Sequence, residues 1–193
     1  LVNTLDTLES DLLKNFLTDT EFLSTIQTAN EEVIIVSNGR QKHECASFGW
    51  IMGTHHNLIA QGFSTAHGQP TSSHRVEGYG KLAWLHFLFH QLMHFGISAS
   101  CNLLSFCNNS TIVSSTQQDP DKQMARTIGP LTQPDYDMLT EIMHAQSALA
   151  CIIPQLTNTN HIKGHQDDNI PFDKLSCPAQ LNILADELAS NHL

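Results

Sequence analysis

EVIIVSNG, residues 32–39, is the stretch on which the fold turns. Val33-Ile34-Ile35-Val36 is a β-branched apolar run, and Ser37-Asn38-Gly39 follows it with a polar tip and a glycine. Such a run reads as a buried strand, with its end expected at Ser37 to Gly39. In sheet enzymes, chemistry gathers at strand ends of this kind. Asn38 is the odd member, because an amide brings neither charge nor acid–base chemistry to such a place.

Downstream, the strand pattern repeats. CASFGWIMG (45–53) and LIAQGFS (58–64) are two further strands, joined by the short polar links Gly39 to Glu44 and Thr54 to Asn57. Three strands with short links predict an antiparallel meander. A Gly/Pro/Ser/Thr loop over 66–73 leads to a long helix from about His74 to Phe95. Its expected apolar stripe is Leu82, Leu85, Phe89, Leu92 and Met93, Glu77 lies in its first turn, and Gly96 is its C-cap. CNLLSFC (101–107) is a fourth strand ending at Asn108-Asn109-Ser110, and a short helix follows through Thr111 to Ser115.

Gln117 to Gln133 reads as irregular and carries Lys122 and Arg126. A helix from Pro134 to Ala150, a fifth strand over Asn160 to Lys163, a polar loop over Gln166 to Lys174 and a last helix from about Pro178 to Asn191 complete the chain. The order βββ-α-β-(α)-α-β-α predicts an α/β fold with a mixed five-stranded sheet, three antiparallel strands and then helix-linked additions, flanked by helices.

Upstream, Leu5, Leu8, Leu12, Leu13 and Phe16 recur at helical spacing, and Thr20-Glu21 opens a second segment through Leu23 and Ile26. Residues 1–30 read as a helical connector and 31–193 as the domain proper. A chain that opens on Leu1 rather than Met reads as a piece of something longer.

The 193 residues suffice for one domain that buries roughly 70% of its unfolded surface without disulfides or metal. The hydrophobic and charged fractions, 40% and 15%, are those of a soluble globular protein, and no run approaches a membrane span. The formal charge of −10 argues against a self-sufficient nucleic-acid binder, so any such affinity must be local or borrowed from neighbouring domains. Cys45, Cys101, Cys107, Cys151 and Cys177 are odd in number and lack C-x-x-C spacing, which predicts buried reduced thiols in a cytoplasmic or nuclear protein. His86, His90 and His94 recur at i, i+4, i+8 on the side away from the expected stripe and read as a solvent face rather than a metal site. Trp50 and Trp84 read as core, and Asp167-Asp168 as a solvated loop.

The stretches VSNG (36–39), FGWIM (48–52), SSHRVEGYG (72–80), FCNNS (106–110), LTQPDYDMLTEI (131–142), IKGHQDD (162–168) and PAQLNILADELA (178–189) together resemble, in order, the ribonuclease H domain appended to retroelement reverse transcriptases. The resemblance implies a ribonuclease H-like fold. It also implies endonucleolytic hydrolysis of the RNA strand of RNA/DNA hybrids, with an upstream reverse transcriptase domain as partner. In that family four carboxylates hold two magnesium ions, with manganese as a substitute, and a loop histidine assists. By motif these places are Asn38, Glu77, Asn108, Asp186 and His165. Arg40, Lys42 and Arg75 are candidate phosphate contacts.

Two of the four acids are amides here. Two divalent ions about 3.5–4 Å apart need anionic oxygens to offset their repulsion. A loss of ~4 kcal/mol at that pair slows the rate about a thousandfold. An inactive or impaired copy is therefore expected, through decay or deliberate Asp→Asn inactivation. The alternative is a non-catalytic module that braces a polymerase or holds a hybrid. The bland readings are a turn at Asn38-Gly39, a helix cap at Asn108-Asn109, a dipole-favoured acid at Glu77 and an ordinary helix acid at Asp186.

Overall fold

The computed structural model describes residues 20–28, 32–66, 72–97, 99–117, 135–153, 156 and 159–193. The helix expected over 1–19 lies outside them, as do residues 67–71 and nearly all of the irregular segment with Lys122 and Arg126. The elements are α1 (Thr20–Gln27), β1 (Glu32–Lys42), β2 (Cys45–Gly53), β3 (Leu58–Thr65), α2 (Ser73–Phe95), β4 (Asn102–Cys107), α3 (Ser110–Thr116), α4 (Tyr136–Ala150), β5 (Asn160–His161) and α5 (Cys177–Asn191). Short 3-10 turns at Gln166–Asp168 and Phe172–Lys174 lie between β5 and α5. The sheet runs β3-β2-β1-β4-β5, antiparallel among its first three strands and parallel from β1 through β4 to β5.

β1 is the central strand, and its alternation divides the core. Val33 and Ile35 pack with α2 and α4, whereas Ile34 and Val36 pack with α5. All four are fully buried, each contributing about 1.5–3 kcal/mol. β2 divides the same way: Trp50 and Met52 join the α2 side, and Ile51 the α5 side.

Three expectations need correcting. β1 does not end at Ser37 to Gly39. Its parallel pairing with β4 stops at Ser37 opposite Cys107, but its antiparallel pairing with β2 continues through Asn38 opposite Gly49 to Lys42 opposite Cys45. The hairpin turn is only His43-Glu44, with His43 in the left-handed region at φ 56°. Asn38-Gly39 is therefore inside a strand, and the turn reading of Asn38 falls.

The stripe of α2 is also rotated from the expected one. Val76, Glu77, Lys81, Trp84, Leu85, Leu88 and Leu92 are buried, while Met93 is exposed and Leu82 and Phe89 are half-buried. The helix lies between the sheet and α4, so it buries a wider face than a single stripe. Its caps are as expected at the far end: Gly96 is left-handed at φ 61°, and its N–H and that of Ile97 close the last turn. Finally, the cysteines are not uniformly buried. Cys101 and Cys107 are, but Cys45 and Cys151 are exposed.

α1 is part of the packed structure. Phe22 and Ile26 are buried, Phe22 meets Phe87 edge-on at 5.8 Å, and the Ile26 carbonyl accepts from the N–H groups of Ser100 and Cys101.

Candidate functional site

The site lies where β1 passes the end of β4. The side chains of Ile34, Val36, Asn38 and Arg40 share the α5 side of β1. Gly39 faces α2 instead, and there a Cβ would lie 2.7 Å from the backbone nitrogen of Glu77. Glycine thus lets the first turns of α2 press against the strand and delivers Glu77 to its edge. On the other face, a Cβ on Gly49, opposite Asn38, would lie 2.5 Å from the Ala185 carbonyl oxygen. That second glycine brings α5, and with it Asp186, close to β1.

Asn38, Glu77, Asn108 and Asp186 come together through these contacts. Asn38 and Glu77 are buried, 4% and 5% exposed. Asn38 Oδ1 accepts from the Gly39 N–H at 2.8 Å and from Asn108 Nδ2 at 3.0 Å. Burial pushes the Glu77 carboxyl up to about 8; the nearby Asp186 charge adds to this, and hydrogen bonds from the Gly39 N–H and the Asn108 side chain oppose it. Asp186 Oδ2 accepts from Arg40 Nη1 at 2.7 Å. Asn109, not Asn108, caps α3: its Oδ1 accepts from the N–H groups of Thr111 and Ile112. Asn108 is left for the cluster.

The remaining candidates differ in how near they lie. His165 is exposed, left-handed at φ 51°, and starts the 3-10 turn at Gln166. Its neighbour Gly164 passes Asn108, with a Cβ position 3.6 Å from Asn108 Nδ2. The His161 ring lies 3.2 Å from the Asn108 carbonyl oxygen. Lys42 is exposed at the end of β1. Arg75 is committed elsewhere: it forms a fork with Asp137 at 2.6 and 3.0 Å and also binds Asp135 at 3.1 Å. Those partners hold its guanidinium above its ordinary value. His86, His90 and His94 run along the outside of α2, and Trp50 and Trp84 are buried in the core.

Three features had gone unread in the sequence: the close approaches at Gly39 and Gly49, the Arg40–Asp186 pair and the buried Lys81. Strand alternation was the available signal for the pair, since it puts Arg40 on the face of Asn38 that α5 covers.

These residues do not fit a pair of magnesium ions. The Asn38 oxygen is neutral and already accepts two hydrogen bonds, Glu77 is driven toward its protonated form, and Asp186 is held by an arginine. Among the described residues, no group of three or more His, Cys, Asp or Glu side chains is placed to hold a metal ion. What the cluster offers is a closed amide pair with one ion pair at its mouth.

No protein-family model and no curated protein matches the chain in sequence. Solved structures do match its backbone. The foamy viral protease-reverse transcriptase, in complex with an RNA/DNA hybrid, superposes with a TM-score of 0.56 at 14% identity, over 84% of this chain and 20% of that one. LC9-RNase H1, a type 1 RNase H with the type 2 active-site motif, gives 0.55 at 12% identity over 86% and 76%. RNase H1 from the halophilic archaeon Halobacterium salinarum gives 0.50 at 14% over 83% and 96%. The chain thus spans about a fifth of the viral protein. These likenesses define the class: the chain has the ribonuclease H fold.

Proposed function

We propose that this chain is a ribonuclease H domain from a retroelement reverse-transcriptase polyprotein, one that holds RNA/DNA hybrids but has lost the ability to cut them. The observation that carries the reading is the hydrogen bond from Asn108 Nδ2 to Asn38 Oδ1 at 3.0 Å. Two carboxylates so placed would repel and need a bound cation between them. Two amides satisfy each other instead. The replacements keep the shape of the site, so the fold survives while the charge that drew metal is gone. The domain would act beside its upstream reverse transcriptase, in cytoplasm or nucleus, reading the hybrid by shape, phosphates and 2′-hydroxyls.

A labelled-hybrid cleavage assay tests this. The protein as it stands is expected to leave the RNA strand intact with magnesium or manganese. The double variant Asn38→Asp, Asn108→Asp is expected to cut it at least about a thousandfold faster. Rapid cutting by the unaltered protein would overturn the loss of activity. A folded but inert double variant would overturn the site assignment.

The net charge of −10 favours a second reading, a bracing module that touches no hybrid. Hybrid affinity measured against salt separates the two. Falling affinity with rising salt marks a hybrid holder, and absent binding marks a brace.

A further inference from the structure

We propose that Arg40 is the resident cation of this site, and that its guanidinium holds a backbone phosphodiester of the nucleic acid with no divalent ion. The inference deepens the hybrid-holding reading and rests on it for the identity of the ligand.

The geometry begins at β1. Arg40 stands two residues beyond Asn38 and so on the same face. Gly49 lets α5 approach that face, and Arg40 Nη1 meets Asp186 Oδ2 at 2.7 Å. The charge that a bound cation would balance is therefore balanced by the chain itself. Beneath the pair, Asn38 Oδ1 has both acceptor positions filled, by the Gly39 N–H and by Asn108 Nδ2. A neutral oxygen in that state has nothing left for a metal.

The ion pair is not sealed off. The side chains of Arg40 and Asp186 are 47% and 27% exposed, so the guanidinium faces solvent while its carboxylate partner fixes its direction. A guanidinium carries five donors in a planar fork, and a phosphate oxygen pair matches that fork. Arg40 Nη1 is anchored on Asp186, and with the side chain 47% exposed the remaining donors are open to an outside acceptor.

The test uses the whole chain and two readouts. In the first, labelled RNA/DNA hybrid is titrated at several salt concentrations, in EDTA and in magnesium. The expected affinity is the same in both. Arg40→Gln is expected to weaken binding about tenfold and to flatten the salt dependence by about one phosphate contact, with Arg40→Lys in between. Magnesium-dependent binding by the unaltered protein overturns the proposal. So does an Arg40→Gln variant, folded by circular dichroism, that binds with unchanged affinity and slope. Inorganic phosphate at matched ionic strength serves as competitor; displacement of hybrid that chloride does not cause and that Arg40→Gln abolishes is expected, and displacement that persists in Arg40→Gln puts the phosphate contact elsewhere and overturns the proposal.

The second readout needs no nucleic acid. Manganese is titrated while thermal unfolding is followed. No saturable rise in Tm is expected for the unaltered protein, and a clear rise is expected for Asn38→Asp, Asn108→Asp. A saturable rise in the unaltered protein overturns the resident-cation claim. Absence of any hybrid binding, with the manganese result as expected, overturns the hybrid-holding reading and the phosphate contact but leaves Arg40 as the cation of the site.

Discussion

Arg75 and Glu77 stand two residues apart in α2 and belong to different polar clusters. Around Arg75, every charge has a partner in the chain. Asp135 accepts from Ser72 Oγ and Arg75 Nη1 and lies 3.2 Å from the His74 ring, and Asp137 takes the other edge of the guanidinium. Around Glu77, the nearest polar side chains are mostly neutral. Asn38 and Asn108 bond to each other, and Glu77 is pushed toward its neutral form. Asp186, at the mouth of the site, has Arg40. The difference follows one pattern: where an acid is present with a cation of the chain beside it the two are paired, and Glu77, bonded by the Gly39 N–H and the Asn108 side chain, is pushed toward its neutral form by burial.

The largest break in this comparison should come from Gly39→Ala. Its Cβ would lie 2.7 Å from the Glu77 nitrogen and 2.8 Å from the Val76 carbonyl carbon, both backbone atoms that cannot swing away. Either α2 or β1 must shift, at an expected cost of roughly 2–4 kcal/mol in urea unfolding. A loss below about 0.5 kcal/mol would show that α2 does not depend on this approach. Arg75→Ala should come next. It leaves Asp135, whose side chain is only 9% exposed, without its guanidinium, at a cost of about 2–3 kcal/mol. Because Arg75 is spent inside the structure, this variant should lower the urea midpoint and leave the salt dependence of hybrid binding unchanged. A lower slope at unchanged stability would instead return Arg75 to the phosphate-contacting surface.

The fold was readable because its signals were local. Val33 to Val36, the two strands after it and Gly96 all announced themselves by period or by turn chemistry. The site was half readable. Motif order picked out Asn38, Glu77, Asn108 and Asp186, and the structure does bring them together. What stayed hidden depends on neighbours distant in sequence. Nothing local in SNG says that β1 continues past Asn38; the continuation exists because β2 is there to pair with it. Gly39 looked like punctuation and is a contact surface for α2. Asp186 carried no local sign of a partner until α5 was laid beside Arg40, 146 residues away in the chain. Asn108 and Asn109 divided their roles only when the start of α3 fixed which one faced its N–H groups.

Lys81 gives the smallest expected effect and the sharpest exception to the pattern of matched charge. It is fully buried in α2, one turn beyond Glu77, and its ammonium donates to Thr116 Oγ1 at 2.7 Å. Burial pulls its pKa down from an ordinary 10.5 to about 8, with the Cys107 thiol opposing slightly. Near pH 7 both the folded and unfolded chains hold the proton, so the folded state bears the cost of a buried charge. Between about 8 and 10.5 the unfolded chain still holds it and the folded chain has released it. Stability contributed by this group therefore rises with pH through that window and is lost again as pH falls through 8. Lys81→Met keeps the volume and removes the charge. It should be neutral or stabilising by about 1 kcal/mol at pH 7, and the variant should lack the gain in stability that the parent protein shows between pH 7 and 10. Urea midpoints for both proteins at the two pH values decide the matter. A variant that loses more than about 2 kcal/mol at pH 7 would mean that the ammonium is held by more than one hydroxyl, and that this charge too has its match inside the chain.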